Sequence, residues 1–324
     1  MDNLTHTLTG VLLARAGLNR LTPRATWIAV TAANLPDIDI VVGPWSIDYL
    51  NYHRHLTHSF FVVPLVAFAA LVIVEGVTRL IRPKADKLPW VKAWLVATIA
   101  ELTHPLLDLT NSYGVRTYLP FSADWYAWDF FNIVEPWLLI MLLAFVAAPT
   151  VYGLLDTEPG SKTFRNHQTA RVGLALLIVF GIGKGTLHGF AIEMLNARHQ
   201  GDLSVQRIAA FPTSLIPWVW TGYIETEKYH QVVTMDLLEN HNSTVGDKYF
   251  KPSSHPALDA VRAHPLARDY LNFARYNVTT IFLMPRGARI EMRDIRFGDA
   301  KRAVFKCVFQ TDEMNRVTSA TFEW

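Results

Sequence analysis

Three clusters of imidazole and carboxylate side chains carry whatever chemistry this chain performs. Asp37 and Asp39 stand in Asn34-Leu-Pro-Asp-Ile-Asp39, where Pro36 is expected to end a helix. His53, Arg54, His55 and His58 follow in His53-Arg-His-Leu-Thr-His-Ser59, immediately before an apolar run. His104 and Asp108 lie four apart in His104-Pro-Leu-Leu-Asp108, so on a helix both project from one face. His6 joins them if the first short helix begins on the same side of the bundle. Imidazole nitrogen and carboxylate oxygen together suit zinc, with manganese as the alternative divalent ion. Such an ion lowers the pKa of bound water to about 7 and supplies hydroxide at neutral pH. Each cluster also has a plainer reading: aspartates after proline cap turns, histidines beside a membrane form a polar belt, and His104 with Asp108 make a private hydrogen bond. Their convergence on one end of a bundle favours the metal.

Other polar residues are candidates of lower rank. Glu135, in Asn132-Ile-Val-Glu-Pro136, is either a further ligand or a helix-start carboxylate favoured by the dipole. Lys184 and His188 near the end of the last apolar run are placed to meet an anionic substrate, and Arg54 to hold a phosphate or orient an aspartate. Asp129 and Asn111 are candidates to orient ligands, and Glu101 sits one turn before His104. A His-Glu-x-x-His motif, a glycine-rich phosphate loop and a Gly-x-Ser-x-Gly elbow are all absent from the sequence.

The elements that must position these residues belong to a membrane protein. The 324 residues are 51% hydrophobic and 18% charged, with a mean hydropathy of +0.17, too apolar for an ordinary soluble enzyme. The net charge of +2 offers no basic excess for a nucleic-acid partner, and the single Cys307 excludes an internal disulfide. Apolar runs over 60–77, 90–109, 134–155 and 172–192 approach the roughly 20 residues a bilayer span needs. Two shorter runs, 4–18 and 25–35, read as a tight helical hairpin or a re-entrant pair. Arg79, Arg82, Lys84, Lys87 and Lys92 in one loop, with Lys162, Arg165 and Arg171 in another, oppose only Arg54 and Arg116 between them. The basic loops are therefore expected in the cytoplasm and the three clusters at the outer face. No cleavable signal peptide is expected at the amino terminus.

Beyond about residue 196 the texture changes. Residues 218–236 and 279–297 read as strand pairs, 303–324 as a closing hairpin, and 256–275 as one amphipathic helix. The expected architecture is an α-helical integral membrane bundle over 1–195, with about five or six membrane-associated helices. A smaller soluble α+β domain over 196–324 follows it.

Met1-Asp-Asn-Leu-Thr-His6, Asn34-Leu-Pro-Asp-Ile-Asp39, His53-Arg-His-Leu-Thr-His-Ser59 and His104-Pro-Leu-Leu-Asp108 resemble the YdjM-like family of membrane-bound metal-dependent hydrolases. The resemblance covers roughly the first 190 residues; His55 departs from the glycine usual there, so which of His53, His55 and His58 ligate stays open. More distantly, the order His6, Asp37 or Asp39, His58, His104 and Asp108 is similar to the zinc-dependent phospholipase C and single-strand nuclease superfamily. That likeness implies zinc and phosphoester hydrolysis. The sequence thus points to a multi-pass hydrolase of the bacterial inner membrane with a periplasmic soluble domain. Its metal would be held by His6, Asp37, Asp39, His53, His58, His104 and Asp108, with Arg54, Glu135 and Lys184 assisting at a lipid-like or phosphoester substrate. The rival readings are a non-hydrolytic transporter and a metal-stapled scaffold.

Overall fold

Residues 1–155, 166–199, 204–239, 246–298 and 304–324 are described in the structure, a computed structural model. The loop expected to carry Lys162 and Arg165 lies outside them. Helix α1 (Asn3–Ala16) starts where Asp2 accepts the Thr5 backbone N–H at 3.0 Å, a carboxylate cap that satisfies an otherwise orphan donor. A short 3-10 turn leads to α2 (Ala25–Asn34), and the two helices form the expected hairpin. Their approach is close: a Cβ on Gly10 would sit 3.0 Å from the Ala29 carbonyl oxygen. A 3-10 stretch, Leu35–Val41, then carries Asp37 and Asp39 past the end of α2.

After α3 (Ile47–Tyr52) come α4 (Val63–Ile81), α5 (Trp90–Leu109), α6 (Pro136–Leu155) and α7 (Asn166–Arg198). Where α1, α2, α4 and α5 meet, the core is largely alanine: Ala14, Ala29, Ala32, Ala70, Ala97 and Ala100 are all fully buried. Small side chains let helix backbones come together without a large hydrophobic driving force, as membrane bundles require. Among the described residues, three helices are long and apolar enough to cross a membrane: Val63–Ile81, Pro136–Leu154 and His167–Arg198. That is fewer than the five or six expected. Helices α1 and α2, at 14 and 10 residues, fall short of a bilayer. Helix α5 has the length but carries Glu101, His104 and Asp108 in its interior.

The chain divides into two compact units, Met1–Asp39 with Arg54–His188 and Pro212–Pro217, and Ile40–His53 with Gly189–Phe211 and Trp218–Trp324. The second unit holds two four-stranded antiparallel sheets in chain order: β1 (Val205–Pro212), β2 (Val219–Thr226), β3 (Tyr229–Asp236), β4 (Gly246–Phe250), then β5 (Asn277–Met284), β6 (Gly287–Asp294), β7 (Lys306–Thr311), β8 (Val317–Glu323). Both expected strand pairs and the closing hairpin appear, and β6 alternates strictly between buried and half-buried positions. The single helix expected over 256–275 is two, α8 (Pro256–Ala263) and α9 (Pro265–Phe273). Pro265 is the cause, because the residue before a proline is pushed out of the helical region. His264 is extended at φ −69°, ψ 137°, and its Nδ1 instead accepts the Leu266 N–H as an N-cap. Trp220, Tyr223, Tyr270, Phe273 and Phe309 fill the interior, and the lone Cys307 is buried among them.

The hairpin contact yields a stability prediction. Gly10→Leu is expected to force α1 from α2 and destabilise the protein by about 1–3 kcal/mol. Gly76→Ala, where an added Cβ meets nothing within 4 Å, should instead hold or raise stability, by up to about 1 kcal/mol. Thermal unfolding of both variants in detergent measures the contrast.

Candidate metal centre

Four donor atoms converge inside the first unit: one each from Asp37, His58, His104 and Asp108, all within 4.8 Å of one another. His58 Nε2 and His104 Nε2 are 3.0 Å apart. Asp37 Oδ1 lies 3.4 Å from each of them, and Asp108 Oδ2 lies 3.3 and 3.4 Å away. A tetrahedron with metal–ligand bonds of about 2.0–2.1 Å has edges of about 3.3–3.4 Å. The four imidazole–carboxylate separations therefore match those a tetrahedral divalent ion imposes, and the two imidazole nitrogens stand slightly closer.

Three segments supply them. Asp37 arrives on the 3-10 stretch after α2, His58 on a short 3-10 turn, Leu56–His58, just before α4, and His104 with Asp108 on one face of α5. His104 Nδ1–H donates to the Ala33 carbonyl at 2.7 Å, so in the neutral ring Nε2 presents its lone pair to the cluster. His58 is oriented from behind by Asp39, whose Oδ2 lies 3.3 Å from Nδ1. The same Asp39 oxygen accepts the Thr57 hydroxyl at 2.7 Å and the Arg54 backbone N–H at 3.0 Å. Arg54 reaches that N–H position with φ of 59°, in the left-handed region that costs a non-glycine residue on the order of 1 kcal/mol. Burial alone would push the Asp37 carboxyl up, but the neighbouring imidazoles of His104 and His58 outweigh it and hold the group well below the usual carboxylate range. Burial would likewise lower His58, yet Asp37 and Asp39 raise it above its ordinary value.

Unsatisfied atoms show that the donor set suits a cation. Asp108 Oδ2 is buried without a hydrogen bond, as are both ring nitrogens of His6. Buried polar atoms in that state cost about 1–3 kcal/mol each, and a divalent ion beside Asp108 Oδ2 satisfies that atom directly. His6 stacks on His104 with ring centroids 3.8 Å apart and Nε2 3.5 Å from Asp108 Oδ1. It borders the four donors without being one of them.

The remaining predicted residues are placed as follows. Arg54 is buried; its guanidinium lies 3.3 Å from Asp108 Oδ1, donates to Asn111 Oδ1 at 2.9 Å and covers the Tyr113 ring. Asp108 Oδ1 also meets the α-amino nitrogen of Met1. Asp39 sits behind His58. His53 belongs to the second unit, where its ring stacks on Tyr49 at 4.7 Å, and His55 is half-buried outside the four donors. Glu135 and Lys184 face each other at 3.7 Å, both buried, as a pair of their own. Sequence reasoning missed the Thr57 hydroxyl, the Ala33 carbonyl and Tyr113; only Thr57, inside the histidine motif, left any signal. It also missed a cavity of about 470 Å³ that reaches Asp37, lined by Asn3, Thr7, Val30, Asn34 and Ile38 among others.

The profile of the YdjM inner membrane protein family matches residues 1–190. The chain belongs to the YdjM inner membrane protein family. All four donors fall inside the matched region, as do two of the three helices long and apolar enough to cross a membrane, and the third, His167–Arg198, for all but its last turns. The chain is similar to the uncharacterized protein YfhP of Bacillus subtilis (strain 168), 33% identical over 158 residues, 45% of this chain and 46% of that one. It is also similar to the inner membrane protein YbcI of Escherichia coli (strain K12), 28% identical over 146 residues, 42% of this chain and 74% of that one. The match thus spans less than half the length of YfhP. No solved structure matches. The protein is a membrane protein of the inner membrane.

Asp39 separates ligation from orientation. Asp39→Asn should weaken metal affinity by about 10–100-fold while leaving full loading at saturating metal, read by competition with a chromophoric chelator.

Proposed function

We propose that this protein is a membrane-bound metal-dependent hydrolase of phosphoester or ester bonds in a lipid-like substrate. The observation that carries the reading is the four-donor cluster of Asp37, His58, His104 and Asp108 at tetrahedral separations. Zinc fits those donors, with manganese as the alternative. Bound there, the ion would polarise a substrate oxygen and activate water for attack. The protein's own groups do the rest. Arg54 holds Asp108 in place, Asp39 and the Ala33 carbonyl fix the two imidazoles, and α5 keeps His104 and Asp108 on one face. The cavity at Asp37 supplies a way in: Val30, Leu35 and Ile38 give it an apolar wall, and Asn3, Thr7 and Asn34 give it polar groups. A lipid with a polar head and an apolar tail matches both surfaces. Asn34 donates to the Thr7 oxygen at 3.0 Å, which leaves the Thr7 hydroxyl hydrogen available to a substrate oxygen.

One observation favours a second reading, a metal-stapled scaffold. Four protein donors are enough to close a tetrahedral sphere, as in structural zinc sites, whereas catalysis needs an open position.

His104→Ala combined with Asp108→Ala is expected to abolish stoichiometric metal, measured by elemental analysis of detergent-purified protein, with the variant still in the membrane fraction. Wild type should release product from phospholipid or other phosphoester substrates and the variant should not. Metal without turnover on any such substrate establishes the scaffold instead. A metal-replete, active double variant overturns both.

In this reading α5, which has the length of a span, crosses as a fourth helix and the second unit faces the periplasm, supported by the five basic residues between 79 and 92 against the Lys- and Arg-poor segments at the other helix ends. An alkaline phosphatase reporter fused after Trp324 is expected to be active and a green fluorescent reporter at the same point dark; the opposite pattern reverses the orientation.

A further inference from the structure

A second hollow lies on the outer surface of the bundle, away from the metal donors. A groove of about 380 Å³ runs between α2 and α4, lined by Arg24, Trp27, Thr31, Ile73, Val77 and Arg82 among others. Its walls are apolar and open: Trp27 is 70% exposed and Val77 50%. In a soluble protein such a surface would demand a protein partner; here it belongs to the membrane-spanning helix α4, whose outer face meets acyl chains.

The polar groups of the groove are gathered at one end. Arg24 is the N-cap of α2 and Arg82 the C-cap of α4. Glu75 pairs with Arg24 at 3.0 Å and with Arg79 at 2.7 Å, which anchors both guanidiniums. Arg24 Nε is buried without a hydrogen bond. Arg82 has no ion-pair partner among the described residues. With Lys84 and Lys87 next in the chain, five cations stand against Glu75 and Asp86 at this end. From Arg24 to Thr31 the helix rises roughly 10 Å, an apolar length that a free anion cannot use.

We propose that the groove is a binding site for one anionic phospholipid, its phosphate at Arg24 and Arg82 and an acyl chain laid along Trp27, Ile73 and Val77 toward Thr31. Basic pockets between membrane helices take anionic head groups in this way, each cation near the surface contributing on the order of a five-fold preference. A zwitterionic lipid matches the apolar wall but not the charge. A second copy of this chain packed through the same groove matches the apolar wall but not the charge, because it would bring the same arginines against these. None of the four metal donors lines the groove, and Thr31 is the one residue it shares with the hollow at Asp37.

The test uses the full chain, delipidated in detergent and exposed to mixed micelles containing phosphatidylglycerol or phosphatidylcholine at equal mole fraction. Bound lipid is counted by native mass spectrometry. One phosphatidylglycerol should be retained, at least about five-fold in preference to phosphatidylcholine. Arg82→Gln should lower its retention about five-fold and Val77→Trp should abolish it, while Lys92→Gln, outside the groove, should leave it unchanged. Equal retention of the two lipids overturns the proposal, as does wild-type phosphatidylglycerol retention in Arg82→Gln. Lipid-free dimers in place of lipid-bound monomers overturn it in favour of a second copy. Should Val77→Trp fail to fold, Arg82→Gln decides alone.

Discussion

The first unit is organised around two carboxylates and two imidazoles held within bonding reach of one ion inside an apolar bundle. His58, His104 and Asp108 retain no exposed side-chain surface, and Asp37 retains 10%. Burying ionisable groups without partners is costly enough that they normally change protonation or find a counter-charge. Here contacts to the outer atoms of His58, His104 and Asp108 hold three of the four donors in place. The inner atoms, His58 Nε2 and His104 Nε2, face one another at 3.0 Å with carboxylate oxygens around them. A cation between them would be met by two imidazole nitrogens and two carboxylate oxygens at once.

The alanine core follows from this requirement. Asp37 and His104 sit on different elements, and they meet only because α2 and α5 approach closely enough for the Ala33 carbonyl to accept from His104. Larger side chains at Ala29, Ala32, Ala97 or Ala100 would hold the backbones apart and break that bond. The connection after α5 is bound to the same end of the bundle: the Arg116 N–H donates to the Arg54 carbonyl at 3.1 Å, and Asn111 receives both Arg54 and the Tyr113 N–H. The left-handed backbone at Arg54 is the strained link in this chain of contacts. It aims one N–H at Asp39 while the side chain of the same residue turns to Asp108.

Much of the centre was readable from residue types and spacing. A histidine and an aspartate four apart must share a helix face, and Pro36 had to end a helix just before two aspartates. What spacing along the chain does not encode is which side of a turn a residue takes. His53, His55 and His58 are equivalent in a string of letters, and the 3-10 turn Leu56–His58 is what brings the last among the four donors. Asp37 and Asp39, two apart, divide between the cluster and the back of His58 for the same reason. Glu135 and Lys184 are far apart in sequence, so nothing in it announced that they pair with each other. Span counting exceeded the three helices apolar enough to cross by composition because hydropathy runs register apolar content, whereas α1 and α2 are short and α5 carries Glu101, His104 and Asp108 within. Pro265 splitting one amphipathic helix into two was legible in principle, since the apolar period continues across the break and only the proline betrays it.

The difference between a scaffold and a hydrolase comes down to whether one corner of the tetrahedron can open. Three of the four donors are locked: His104 by Ala33, His58 by Asp39 and Asp108 by Arg54. Asp37 is not tied in this way. It stands on a 3-10 stretch instead of a full helix, keeps some exposure, and forms part of the wall of the 470 Å³ cavity. A carboxylate can also move between one-oxygen and two-oxygen coordination without a backbone shift. If any ligand yields a position to water or to a substrate oxygen, the packing selects Asp37, and it does so on the side from which a substrate would come. The open hollow thus lies at the ligand with the fewest outside contacts, and that asymmetry is what supports proposing hydrolysis beside a scaffold.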